Sequence, residues 1–209
     1  KGFDLSWVDY PFGAEHYLKT GEVLPESVLA ELKSCQALLL GAVGDPRVKP
    51  GILERGILLK LRFFFDMYVN LRPAKAFPRV PLPVPLPEGK AMDLLVVREN
   101  TEDFYVGLGG EGDAPIDLGL RRGLYTMEGE MKVRFSTAQR SAFQIGLATE
   151  EGVRRITADA CRRAEARGEK RITLATKANA MPQLYGFWEE IARDEMTRRG
   201  FDFETVNVR

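Results

Sequence analysis

The sequence predicts an α/β fold: a mostly parallel sheet flanked by helices, with a small antiparallel arm inserted past its middle. Two observations carry this. Apolar-rich runs of strand length, ALLLGA at Ala37–Ala42, DLLVVR at Asp93–Arg98 and RITLAT at Arg171–Thr176, alternate with segments of helical spacing, and short apolar runs are what a sheet covered on both faces requires. Between Gly107 and Gly129 the composition shifts toward glycine and acidic residues, which interrupts that rhythm in the manner of an antiparallel excursion.

Taken in order, Phe3–Asp9 (FDLSWVD) alternates like a strand and is followed by a polar loop. Pro25–Ser34 has helical spacing with proline in a first turn. With Ala37–Ala42 next, the order is β-α-β, which favours parallel pairing. Leu53–Phe65 places leucines, isoleucine and phenylalanines at helical spacing, Met67–Phe77 reads as extended, and the proline-rich connector Pro78–Pro87 cannot enter a central sheet. Asp93–Arg98 is a buried strand. Leu118–Tyr125 and Met131–Phe135 alternate within the arm, at about 107–136. Glu150–Arg167 reads as a long helix, Arg171–Thr176 as a strand, Phe187–Arg199 as a helix and Phe203–Val208 as a last strand. There is no initiating methionine, and the last strand has no turn or cap after it, so both ends read as cut.

At 209 residues, 44% of them hydrophobic, the chain can bury one sizeable core or two small ones. Thirty basic residues balance thirty acidic ones, so no overall positive field draws nucleic acid or an anionic membrane. Any anion site must be local. Cys35 and Cys161 are far apart and in no metal-binding spacing, and read as reduced thiols. No run approaches the roughly 20 apolar residues of a membrane span. The cytoplasm is the expected compartment.

Four cations stand where α/β proteins keep their sites, at or just past the ends of elements. Arg62 ends a helix, Arg72 lies in Asn70-Leu71-Arg72-Pro73, Arg98 ends DLLVVR and Lys177 follows RITLAT. An arginine at the end of an apolar strand is costly to desolvate unless it meets an anion. A structural ion pair answers that for any one of them; the repeated placement points to a substrate with two carboxylates, which guanidinium binds through paired hydrogen bonds. Lys177 and Tyr105 are the candidate proton-transfer pair. Like charge and desolvation among three arginines disfavour a cationic lysine and make Lys177 a candidate base, and the Tyr105 phenol can donate a proton. Glu99 and Glu102 read as solvated or salt-bridged carboxylates, and His16 as a surface residue. No Gly-x-Gly-x-x-Gly follows a strand, so a Rossmann nucleotide site is not indicated.

At these residues the sequence resembles the isocitrate/isopropylmalate dehydrogenase family, through LLKLRFFFDMYVNLRPAKAFP, DLLVVRENTEDFY and LATKANAM in that order over nearly the whole chain. YLKTG, FDMYVNLRP, VVRENTE and ATKAN look most like its tartrate/D-malate dehydrogenase branch. The resemblance implies an isopropylmalate-dehydrogenase-like fold, with residues 1–92 part of a large α/β domain and 93–209 a smaller substrate and dimerisation domain. It implies NAD-dependent oxidative decarboxylation of a (2R)-hydroxy dicarboxylic acid of the tartrate/D-malate type, with NADP as the alternative nucleotide and Mg²⁺ or Mn²⁺ assisting. Arg62, Arg72 and Arg98 would hold the substrate carboxylates. Tyr105 would reprotonate the carbanion left by CO₂ loss. Lys177 would help deprotonate the hydroxyl, reaching into the partner subunit's site of a homodimer, and Asn179 would lie near the nicotinamide. Substrate choice would rest on the helix Arg55–Arg62, where Leu58 and Leu59 suit an alkyl group or a small substrate and Arg55 a third carboxylate. Isopropylmalate, isocitrate and homoisocitrate are the alternative substrates, and a regulatory subunit of the same fold is the non-enzyme alternative. The family's metal-binding aspartates and most of its adenosine site have no counterpart here, so the resemblance assigns no metal ligand.

Overall fold

The computed structural model describes residues 4–77, 79–88, 90–112, 115–134 and 141–208. Phe3, Pro78 and Phe135, at the ends of three expected segments, lie outside them. The chain packs as two compact units, Lys1–Met67 and Tyr68–Arg209.

In the first unit, α1 (Ala14–Thr20) and α2 (Glu26–Leu32) precede a π-helical stretch at Glu54–Leu59 that runs straight into α3 (Lys60–Phe64). Pro25 caps α2 in an extended conformation, as expected for a residue whose fixed φ suits the entry to a helix. Leu29, Leu53 and Ile57 are fully buried and form one core with Leu24, Val28, Leu32, Val48 and Leu61. Two expectations fail here. The polar loop contains α1, and the expected strands at Phe3–Asp9 and Ala37–Ala42 are irregular over their described residues, with Leu5, Trp7, Val8 and Leu39 exposed. A strand exists only through its ladder, and among the described residues no segment pairs with either.

The second unit holds β1 (Val69–Lys75), β2 (Asp93–Glu99), β3 (Asp103–Glu111), β4 (Ile116–Asp117), β5 (Leu120–Arg121), β6 (Thr126–Met127), β7 (Glu130–Met131), β8 (Ala142–Leu147), α4 (Glu150–Ala166), β9 (Arg171–Thr176), α5 (Phe187–Arg198) and β10 (Asp202–Asn207). β1 pairs antiparallel with β2, β3 with β8, β4 with β7 and β5 with β6, while β9 and β10 form the parallel pair. The arm is therefore a nested hairpin, β4 with β7 enclosing β5 with β6, as its glycine-rich sequence predicts. Pro73 sits inside β1 without breaking the ladder. Ala76 N–H donates to the Met92 carbonyl at 2.9 Å, in register with Pro73 opposite Leu95. Pro73 therefore occupies a position that directs no N–H toward β2, where proline's missing donor costs nothing. β2 is less buried than its composition suggests: Leu94 and Val96 are about half exposed, because α4 packs against the strand from one side only.

α4 begins at Thr149, whose hydroxyl accepts from Gly152 N–H at 3.0 Å, a standard N-terminal cap. Its apolar stripe, Val153, Ile156 and Cys161, is fully buried against β9, α5 and β2. Its own unit thus covers this face of the helix. Both cysteines are free thiols. Among the described residues no helix is long and apolar enough to cross a membrane.

Gly152 is required by packing. A Cβ there would overlap both oxygens of Glu102, a carboxylate held in place by Thr149. Gly152→Ala is expected to destabilise the intact protein by about 2–3 kcal/mol, the scale of overpacking plus a damaged cap, read as a lower urea midpoint at unchanged slope.

Candidate active site

The site is built on the second unit's first two strands. Asn70 stands opposite Arg98 in the β1–β2 ladder and Arg72 opposite Val96, so Asn70, Arg72 and Arg98 share one face of the pair. Arg72 lies in mid-strand rather than at a strand end. Asn70 organises this face: its Oδ1 accepts from Arg72 Nε at 3.3 Å and its Nδ2 donates to Asn100 Oδ1 at 3.3 Å.

Tyr105 reaches the same place by a different route. It lies in β3, not in a loop, at a point where the ladder with β8 slips. Asp103 pairs with Leu147 and Leu108 with Ile145, so five steps along β3 meet two along β8 and three residues are extra. A bulge of this kind bends the strand and re-aims its side chains. The φ of 61° at Asp103 and the φ of 82° at Gly107 bracket the bulge. The outcome is that the Arg98 guanidinium lies 4.7 Å from the Tyr105 ring centroid, within cation–π range. Tyr105 itself is 42% exposed.

Several residues that the sequence reading passed over hold this arrangement. The Tyr185 hydroxyl donates to Asp103 Oδ2 at 2.8 Å; burial, and then the Asp103 carboxylate, push its pKa up to about 12, so it remains a neutral donor. Glu99, expected to be solvated or salt-bridged, accepts from the N–H groups of Thr101 and Glu102, at 2.9 and 2.7 Å, and closes the turn between β2 and β3. Arg155 of α4 donates to Thr101 Oγ1 at 3.0 Å and lies 4.2 Å over the Tyr68 ring. Glu102, also expected to be solvated or salt-bridged, is buried and accepts from Thr149 N–H at 3.0 Å and from its hydroxyl at 2.6 Å. The Arg98-to-Tyr105 segment is thereby tied to the start of α4.

Burial raises the Glu102 carboxyl above its usual value of 4.5, against the hydrogen bonds from Thr149. A carboxyl raised on folding contributes stability at low pH that is lost as pH climbs from the unfolded value through the folded one. Glu102→Gln, which cannot ionise, should therefore lose less stability than the wild type between about pH 4.5 and neutrality. Thermal unfolding of both proteins across that range checks it: parallel curves would mean that Glu102 ionises at no cost.

Within the second unit, Lys177 does not join Arg72 and Arg98. Half-buried at the end of β9, it donates from Nζ to the Val208 carbonyl, and it does not line the cleft that Arg72, Arg98 and Tyr105 share. The expected grouping of Lys177 with Arg72 and Arg98 is corrected accordingly. Asn179 is exposed in the turn that follows. In the first unit, Arg62 stands in the last turn of α3, one turn beyond Leu58, which is partly exposed, with Leu59 beside it. Arg55 turns back on its own helix, Nε donating to the Gly51 carbonyl at 3.1 Å. His16 contacts Glu22 Oε2 at 3.2 Å, a surface pair. No three of His, Cys, Asp or Glu come together to hold a metal ion among the described residues, so these residues do not by themselves form a metal site.

Residues 1–208 match the family model described as isocitrate/isopropylmalate dehydrogenase. Among curated relatives, a 3-isopropylmalate dehydrogenase of Saccharopolyspora erythraea is 41% identical over 91% of this chain and 48% of its own length. Enzymes of the same name from Frankia casuarinae and Mycobacterium ulcerans are 43% and 40% identical, over 86% and 96% of this chain and 46% and 55% of theirs. The chain thus spans about half the length of these relatives. Solved structures of similar fold include an isocitrate dehydrogenase from Methylococcus capsulatus, with TM-score 0.62 and 22% identity over 94% of this chain and 50% of that one. A β-decarboxylating dehydrogenase from Thermococcus kodakarensis gives 0.58 and 24% over 94% and 47%. The match over nearly the whole sequence, with relatives above 40% identity and the same fold in solved structures, means that the chain belongs to the isocitrate/isopropylmalate dehydrogenase family.

Proposed function

We propose that the whole protein is an NAD-dependent β-decarboxylating dehydrogenase acting on a 2-hydroxy dicarboxylic acid of the 3-isopropylmalate class. The observation that carries the reaction type is the grouping of Arg72 and Arg98 on one strand-pair face beside the exposed side chain of Tyr105. Two guanidinium groups suit two carboxylates, and a neutral phenol suits protonation of an enolate. The substrate class rests on the relatives, which bear the name 3-isopropylmalate dehydrogenase. That outweighs the tartrate/D-malate reading of FDMYVNLRP and VVRENTE, which remains the second choice on those motifs alone.

In this reading a base takes the hydroxyl proton, and a bound nicotinamide would supply the acceptor for the hydride of C2. The C3 carboxylate then leaves as CO₂, its bonding electrons forming an enolate that takes a proton from Tyr105. Lys177 lies outside the cleft of its own chain, so its role in hydroxyl deprotonation is assigned to the site of a second copy in a homodimer. The resemblance assigns Asn179 to the nicotinamide and Arg62, Leu58 and Leu59 to the substrate. Mg²⁺ or Mn²⁺ is the expected metal, but the described residues do not assemble its donors and no step is assigned to it.

Steady-state kcat/KM of the full-length protein with 3-isopropylmalate, D-malate, tartrate, isocitrate and homoisocitrate, each with NAD and with NADP, tests the reading. The highest value is expected for 3-isopropylmalate with NAD. A higher value for D-malate or tartrate would return the assignment to the second choice, and no turnover of any of the five would favour a regulatory subunit.

A further inference from the structure

Between β9 and α5 the chain makes a compact turn that ends against the strand carrying Tyr105. The Lys177 carbonyl accepts from Met181 N–H at 2.9 Å, and the Met181 carbonyl accepts from Tyr185 N–H at 3.0 Å. Tyr185 lies in a π-helical turn, Pro182–Gly186, that runs straight into α5. Proline at the start of that turn has its φ already fixed for helical entry and no N–H to satisfy. The Tyr185 side chain is thus carried on a backbone tied at one end to β9 and at the other to a helix.

Two contacts seat this turn on the bulge between β3 and β8. One is the hydrogen bond from the Tyr185 hydroxyl to Asp103 Oδ2 at 2.8 Å. The other is steric. Gly146 is the single β8 residue between Ile145 and Leu147, which pair with Leu108 and Asp103 on either side of the slip. A Cβ at Gly146 would stand 2.7 Å from Leu184 Cδ2, 3.2 Å from Phe104 Cε1 and 3.3 Å from Asp103 Oδ1. Glycine inside a strand marks such a close approach, and here it leaves the notch that Leu184 enters.

The hydrogen bond falls on the residue that starts the bulge. Asp103 has a φ of 61°, in the left-handed region that few residues other than glycine enter. Its Oδ1 is buried and has no hydrogen-bond partner among the described residues, so the bond from Tyr185 to Oδ2 is what fixes the carboxylate. Because the Tyr185 pKa is pushed up to about 12, chiefly by burial, the hydroxyl keeps its proton throughout the neutral range. Two residues along β3 from Asp103 comes Tyr105, with the Arg98 guanidinium 4.7 Å from its ring centroid.

We propose that Tyr185 is a positioning residue for Tyr105: through the Asp103 carboxylate it holds the bulge of β3 in the form that presents the Tyr105 phenol to the substrate. The proposal rests on the reading of Tyr105 as the proton donor. Tyr185 acts on the reaction without exchanging a proton itself, and its contribution belongs to the placement of the donor. Misplacing a reacting group by about 1 Å can cost about 100-fold in rate, so one hydrogen bond at the root of the bulge is enough to matter.

Tyr185→Phe in the full-length protein, which removes one oxygen and keeps the ring, tests this in two ways. With the substrate of highest kcat/KM, kcat is expected to fall about 10–100-fold while KM stays within about 2-fold of the wild type. Asp103→Gly, which adopts the same φ without steric cost, is expected to lose a similar factor. The double variant should lose no more than either single one, because both changes remove one bond. Independently of turnover, the Tyr105 ring resonance in protein carrying isotope-labelled tyrosine, assigned by its loss in Tyr105→Phe, is expected to shift in Tyr185→Phe. An unmoved resonance, an unchanged kcat, a loss confined to KM or losses that multiply in the double variant would each overturn the proposal. If the wild type turns over none of the five substrates, it is the reading of Tyr105 as proton donor that fails, and the resonance alone decides whether Tyr185 sets the position of Tyr105.

Discussion

Tyr105→Phe in the full-length protein is expected to lower kcat by about 10²–10⁴-fold, the usual contribution of a positioned general acid. The substitution removes one oxygen and leaves the ring under the Arg98 guanidinium, so folding and substrate affinity should change little. The effect belongs in kcat, with KM near its original value, because the lost proton donor acts after the substrate is bound. A fall confined to KM would make Tyr105 a binding residue.

Arg98→Lys is expected to weaken substrate binding by about 1.5–3 kcal/mol, or roughly 10–150-fold, because the charge is kept and the two-pronged hydrogen bond is lost. Since Arg98 also lies over the Tyr105 ring, some loss of kcat should accompany it as the phenol loosens. Unchanged constants would show that Arg98 is a structural cation and that the carboxylates bind elsewhere.

Much of this arrangement was legible in the sequence, and the reason is locality. The helices α4 and α5 and the strands β9 and β10 follow from periodicity within single segments. Arg72, Arg98 and Tyr105 are recognisable by their places in two motifs, LLKLRFFFDMYVNLRPAKAFP and DLLVVRENTEDFY. Residues whose role depends on a distant partner carried no such signal. Tyr185 meets Asp103 across 82 positions, Glu102 meets Thr149 across 47 and Arg155 meets Thr101 across 54, and nothing in the local pattern of RENTED distinguishes a buried carboxylate from a solvated one. Asn70 was quoted within its motif but not singled out, because its bond to Arg72 depends on the pleat of a strand. The failures at Phe3–Asp9 and Ala37–Ala42 have a related cause. An apolar or alternating run states a preference for the extended state, but only a neighbouring ladder makes it a strand, and the described residues supply none there. For Lys177, position just past a strand was read as proximity to the arginines, whereas β9 and β2 are separate strands with a cleft between them.

The division of labour between Lys177 and Tyr105 is tested most directly by supplying the oxo-acid intermediate to full-length variants with Mg²⁺ or Mn²⁺ present. Lys177→Met should lose oxidation of the hydroxy acid yet still decarboxylate and protonate the supplied oxo-acid. Tyr105→Phe should do the reverse, retaining oxidation comparatively well while turning over the oxo-acid far more slowly. Equal losses in both half-reactions for both variants would contradict separate roles and point to one coupled hydrogen-bond network.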